Sequence, residues 1–81
     1  QVTDLIPLPG TTPEELLLTS RQREVLKLLA RGASNHDIAE SLGISQATVR
    51  VHVSSIMRAL QVDNRTQAAT STLARRLAES D

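Results

Sequence analysis

An all-α domain of four helices, bundle-like and preceded by an irregular arm, is the fold this sequence predicts, and three features predict it. Apolar residues recur at helical spacing from Leu18 to Leu77, with no strand-like alternation. Capping residues and glycines interrupt that pattern at helix-length intervals of about 8 to 15 residues, with short connections between them. All three prolines, Pro7, Pro9 and Pro13, stand near the start of the chain, and Pro cannot continue a helix interior. At 81 residues and 40% hydrophobic content, the chain suffices for one small core and one domain. No internal repeat of solenoid length fits.

The boundary between arm and domain falls after residue 17. Residues 1 to 17, QVTDLIPLPGTTPEELL, read as a linker or loosely packed arm. Within them Thr12, Pro13 and Glu15 form a helix start signal, which suggests a short helical turn over residues 13 to 18. Residues 18 to 81 form the domain. Thr19 caps its first helix with Gln22 at the third position; Val25, Leu26, Leu28 and Leu29 supply a buried stripe, and Gly32 stands where a C-terminal cap belongs. Ser34 caps the second helix with Asp37 reaching back, Ile38, Ala39 and Leu42 face inward, and Gly43 closes it. Ser45 caps a third helix running over about residues 46 to 60. Asp63 or Asn64 caps a fourth, with Ala68, Ala69, Leu73 and Leu77 at helical spacing.

Composition removes several classes of function. With no Cys there is neither a disulfide framework nor a thiolate metal site. Two histidines, His36 and His52, without a clustered carboxylate make no recognisable zinc site, so no metal and no cofactor are expected. His52 reads as a hydrogen-bonded structural histidine at the edge of the core. No apolar run approaches the ~20 residues of a membrane span, and no signal-peptide pattern opens the chain. A cytoplasmic protein without a membrane partner is the expectation, and Gln1 in place of Met suggests a piece of a longer chain. Zero aromatic residues leave no platform for stacking the bases of single strands. There is no nucleophile elbow, P-loop or Gly-rich phosphate cradle, and no enzyme is expected.

Net charge is zero, yet it is unevenly spread. Residues 1 to 18 carry three acids and no Lys or Arg, residues 19 to 62 carry six basic side chains against three acids, and the rest balances. The positive excess therefore sits in the segment with the strongest helical pattern. At about 100° of rotation per residue, Val49, Val53, Ile56 and Leu60 form one narrow core stripe of the third helix. Ala47, Arg50, Val51, Ser54 and Arg58 fall within roughly a third of a turn of one another on its far side.

The simplest reading of that far side is a solvated helix face. No acid stands between Glu40 and Asp63, however, so Arg50 and Arg58 lack the local partners a merely solvated helix supplies. Ala47 and Ser54 are small enough for another surface to approach, and Val51 is an apolar residue pointing outward. Such a face suits a DNA major groove: Arg50 can donate to guanine O6 and N7 or to a phosphate, and Val51 can meet a thymine methyl. The spacing of Ile38, Ala39, Leu42, Gly43, Ile44 and Val49 is that of a helix-turn-helix. Free N–H groups at the starts of its two helices place Ser34, Asn35, Ser45, Gln46 and Thr48 for phosphate contacts, with capping the first role of Ser34 and Ser45.

Residues 18 to 69, LTSRQREVLKLLARGASNHDIAESLGISQATVRVHVSSIMRALQVDNRTQAA, resemble the LuxR/FixJ-type (GerE-like) DNA-binding domain of bacterial transcription regulators. The motifs that carry the resemblance are LTSRQREVL, the G-x-SN-x-x-IA run, L-x-IS-x-x-TVR-x-H and R-x-QAA. It implies sequence-specific binding of double-stranded DNA, with the third helix in the major groove. It also implies a homodimer contact through the fourth helix and, elsewhere in the parent chain, an N-terminal receiver or sensor domain, as in a response regulator of a two-component system. RNA polymerase is a further candidate partner. Carried over by position, the DNA contacts fall on Thr48, Arg50, Val51, Ser54 and Arg58, with a backbone contact at Asn35. The chain departs from the pattern at Arg50, where Lys is usual; at His36, Asp37 and Ala59, where Lys, Glu and Lys are common; and at Gln61, where Gly is frequent. Fewer cations imply modest affinity and a shallow salt dependence. The competing reading is a protein-interaction module whose basic third helix meets an acidic partner.

Overall fold

The computed structural model describes residues 17 to 79. The arm, except for Leu17, therefore lies outside the described residues, as does the helical turn expected over 13 to 18 except for its last two positions. The described part is all-helical, with α1 Ser20–Ala30, α2 Asn35–Leu42, α3 Gln46–Leu60, α4 Arg65–Ala69 and α5 Thr72–Glu79.

Each boundary has a local cause. Thr19 accepts from the Gln22 N–H at 3.1 Å while Gln22 Oε1 accepts from the Thr19 N–H at 2.9 Å, so α1 opens with a full capping box. It closes in a Schellman turn: the Gly32 N–H reaches Leu29 C=O, the Ala33 N–H reaches Leu28 C=O, and Gly32 takes φ +90°. The Ser34 hydroxyl caps α2 through the Asp37 N–H at 3.1 Å, and Gly43 ends it at φ +68°. A Cβ at Gly43 would meet nothing within 4 Å, so the left-handed backbone alone calls for glycine there. At the end of α3 the same left-handed position is filled by Gln61, φ +57°, which costs an L-residue roughly 1–2 kcal/mol.

The fourth helix expected from the sequence is two helices. Asn64 is the cap of α4, accepting from the Gln67 N–H at 2.8 Å, and the helical run breaks at Thr70 and Ser71. Both hydroxyls turn onto backbone carbonyls, Thr70 to Thr66 and Ser71 to Ala68. Ser71 Oγ then accepts from the Ala74 N–H at 3.2 Å and so starts α5 afresh. Such side-chain bonds compete with the helix ladder and permit a bend where apolar spacing alone suggests continuity.

The core draws on every helix: Val25, Leu26 and Leu29 from α1, Ile38 and Ala39 from α2, Val49, Val53 and Ile56 from α3, Ala68 from α4, and Leu73 and Ala74 from α5. α1 is central, packed on α5, α3 and α4, while α2 packs mainly on α3. Leu77, at helical spacing from Leu73, is half-buried against this core, whereas Thr66 and Thr70 are exposed. Arg31 ties the end of α1 to α5 by donating from Nε and Nη2 to Ala78 C=O at 3.1 and 2.9 Å, which caps the last turn of α5. Among the described residues no helix is long and apolar enough to cross a membrane.

Candidate nucleic-acid interface

α2 and α3 are joined by Gly43, Ile44 and Ser45. This is the short glycine-containing turn of a helix-turn-helix. Its geometry follows from the core: Ile38, Ala39 and Val49 are buried at the crossing, and Leu42 and Ile44 pack beside them. Close approach at Ala39 is possible because its side chain is a methyl. Seated this way, α3 turns Val49, Val53 and Ile56 inward and leaves Ala47, Thr48, Arg50, Val51, Ser54 and Arg58 exposed.

Val51 is 64% exposed, one of two large apolar side chains so displayed among the described residues. A lone exposed valine is ordinary; what distinguishes this one is its company. Arg50 and Arg58 flank it, and among the described residues neither guanidinium has a hydrogen-bond or ion-pair partner. α3 contains no acid. The face is thus cationic and, among the described residues, exposed.

The N-terminal ends of α2 and α3 lie side by side, as the 3.4 Å approach of Gln46 Nε2 to His36 Nδ1 records. Ser45 Oγ accepts from the Thr48 N–H at 3.0 Å and lies 2.9 Å from Thr48 Oγ1. Of the two hydroxyl protons, one closes that pair and the other remains for an outside acceptor. Asn35, the first residue of α2, is half-buried, unlike the other seven candidate residues. Its Oδ1 accepts from Arg65 Nη1, and Arg65 Nη2 donates to Ala33 C=O at 3.1 Å. Sequence reasoning left Arg65 without a role. The only signal was indirect: a cation inside the R-x-QAA run with no acid three or four residues away.

His52 is half-buried and has no hydrogen-bond partner among the described residues, so its expected structural hydrogen bond is not formed there. His36 is exposed and stands 3.5 Å from Glu40. No group of three potential metal ligands occurs among the described residues. A shallow cavity of about 260 Å³ opens between α1 and α2, lined by Glu24, Lys27, Leu28, Arg31, Ser41 and Leu42. It is small and charge-rimmed, unlike the enclosed apolar pockets that hold small molecules.

Residues 16–72 match the family model GerE, described as bacterial regulatory proteins, luxR family. The chain is 50% identical over 70 residues to YhjB of Escherichia coli (strain K12), covering 76% of this chain and 35% of that protein. It is 47% identical over 57 residues to the CsgBAC operon transcriptional regulatory protein of the same organism, 70% of this chain and 26% of the relative. It is 48% identical over 52 residues to the response regulator protein VraR of Staphylococcus aureus (strain NCTC 8325 / PS 47), 64% of this chain and 25% of the relative. The chain thus spans between 25% and 35% of the length of these curated relatives.

Proposed function

Because this chain belongs to the luxR family of bacterial regulatory proteins, we propose that it is a DNA-binding module of a transcription regulator that reads double-stranded DNA sequence-specifically through α3. The observation that carries the proposal is the outer face of α3, where two arginines without a partner among the described residues flank an exposed valine on a helix without acids. In the major groove Arg50 donates to guanine O6 and N7, and Val51 packs against a thymine methyl. Ser54 and Ala47 leave room for that approach. Arg58, the free proton of the Ser45–Thr48 pair, Gln46 and Asn35 contact phosphates, which fix register without reading sequence. Nothing in this role requires a cofactor or a catalytic group.

For the whole protein we extend the proposal as follows. Residues 18 to 81 are the output domain, and residues 1 to 17 link it to an N-terminal receiver or sensor domain. The name of VraR, a response regulator, supports a receiver. Two copies dimerise through the exposed side of α4 and α5 around Thr66 and Thr70, so that paired recognition helices address half-sites about one turn of DNA apart, roughly 34 Å. The assembly works in the cytoplasm, where RNA polymerase is a further partner.

Titrating the isotopically labelled chain with duplex DNA and following its amide resonances tests the interface. Shifts concentrated at residues 46 to 58 and at Asn35, and fading as salt rises, are the expected result. Movement confined to other surfaces, or shifts of α3 only with an acidic protein, would overturn it.

A further inference from the structure

We infer that Arg65 is a positioning residue of this interface: its guanidinium holds the Asn35 amide in the orientation that a DNA phosphate at the start of α2 requires. The inference rests on the DNA-binding reading and adds to it a residue that touches no DNA.

Two properties of the contact support it. First, a guanidinium is donor-only, so the Asn35 atom facing Arg65 must be Oδ1. The ambiguity between the two ends of an asparagine amide is thereby removed. Nδ2, with both its protons, is turned away from Arg65 and has no acceptor among the described residues. Around it, the first N–H groups of α2, those of Asn35 and His36, lack intrahelical partners. The Asp37 and Ile38 N–H groups are taken by Ser34 Oγ at 3.1 Å and Ser34 C=O at 2.9 Å. The amide and the open N–H groups thus sit together at one helix end as donors.

Second, the charge is on the side that a helix start disfavours. Arg65 is half-buried and has no ion-pair partner among the described residues. It lies beside the positive end of α2, where the peptide dipoles stabilise anions and not cations. Asp37 in the first turn offsets part of that repulsion. A neutral side chain could tie Ala33 and Asn35 together without the penalty. The cation makes sense where an anion arrives, because a phosphate at Asn35 Nδ2 relieves the repulsion and receives an oriented donor.

The test is a double-substitution cycle, reading duplex affinity by fluorescence anisotropy on both a selected and a random duplex. The 81-residue chain is compared with Asn35→Ala, Arg65→Gln and the combination, each also melted thermally. Asn35→Ala is expected to lower affinity about tenfold on both duplexes, as for loss of a hydrogen bond to a charged acceptor. Arg65→Gln should do nearly as much. The combined variant should bind no more weakly than the worse of the two. Multiplying losses, or a lower melting temperature with unchanged affinity of the folded fraction, would show that Arg65 only braces the loop and would overturn the inference. If Arg65→Gln does not fold, Arg65→Lys, which keeps the charge but not the fork, replaces it in the same cycle. Failure of the unsubstituted chain to bind any duplex would instead overturn the DNA reading and the inference with it. That outcome is visible before any substitution is made.

Discussion

The two faces of α3 are built from neighbouring residues and obey different rules. Val49 and Ile56 are fully buried and Val53 nearly so, whereas Arg50, Val51, Ser54 and Arg58, one position away from them or two, are exposed. On the inner face, shape and transfer from water decide; burying each aliphatic side chain contributes about 1.5–3 kcal/mol to folding. On the outer face Arg50 and Arg58 have no partner among the described residues, and an apolar valine between them suits an outside surface better than it serves the fold. The contrast makes stability and DNA binding separable by substitution within a single helix.

The largest effect expected is on the inner face. Ile56→Ala should lower stability by about 2–5 kcal/mol through lost burial and the cavity left behind, read as a reduced midpoint in denaturant unfolding. Its DNA affinity should fall only in proportion to the unfolded fraction. On the outer face the pattern should invert. Arg50→Ala should cost about 1–3 kcal/mol of binding and relax discrimination at one base pair, while unfolding stays within about 0.5 kcal/mol of the unsubstituted chain. Equal losses on specific and random DNA would remove Arg50 from base reading and weaken the contrast. Arg58→Ala sharpens it further: affinity should drop alike for all sequences, and the slope of log K against log salt should become shallower by about 1. The smallest expected effect lies where α3 ends. Gln61→Gly should relieve the left-handed strain and raise stability by about 0.5–1 kcal/mol, a rise of several degrees in melting temperature for a domain of this size, with unchanged DNA affinity.

The inner face and the first three helices were legible because their signals are local and periodic. Thr19, Ser34 and Ser45 each cap the helix assigned to them, and Gly32 and Gly43 take the left-handed turns that glycine permits. The outer face was legible as a surface, since the same 3.6-residue period that buries Val49 and Ile56 exposes Arg50 and Arg58. The reciprocal bond from Asp37 expected at the start of α2 is not formed among the described residues; the Ser34 cap works alone. The division at Thr70 and Ser71 escaped notice because Ala68, Ala69, Leu73 and Leu77 keep helical spacing across it, and the break arises from hydroxyls bonding to carbonyls. The tie between Arg65 and Asn35 spans 30 positions. It links residues from different helices, and no pattern along the chain brings such a pair into view.

The most direct measurement is selection of bound duplexes from a random pool by the 81-residue chain, with the enriched duplexes re-measured at two salt concentrations and against Arg50→Ala. Sequence-specific readout by α3 predicts enrichment of a short motif, repeated or inverted, whose advantage over random DNA survives higher salt and shrinks in Arg50→Ala. No enrichment, with binding to every duplex abolished alike at moderate salt, would contradict it and leave only non-specific attraction between a basic helix and a polyanion.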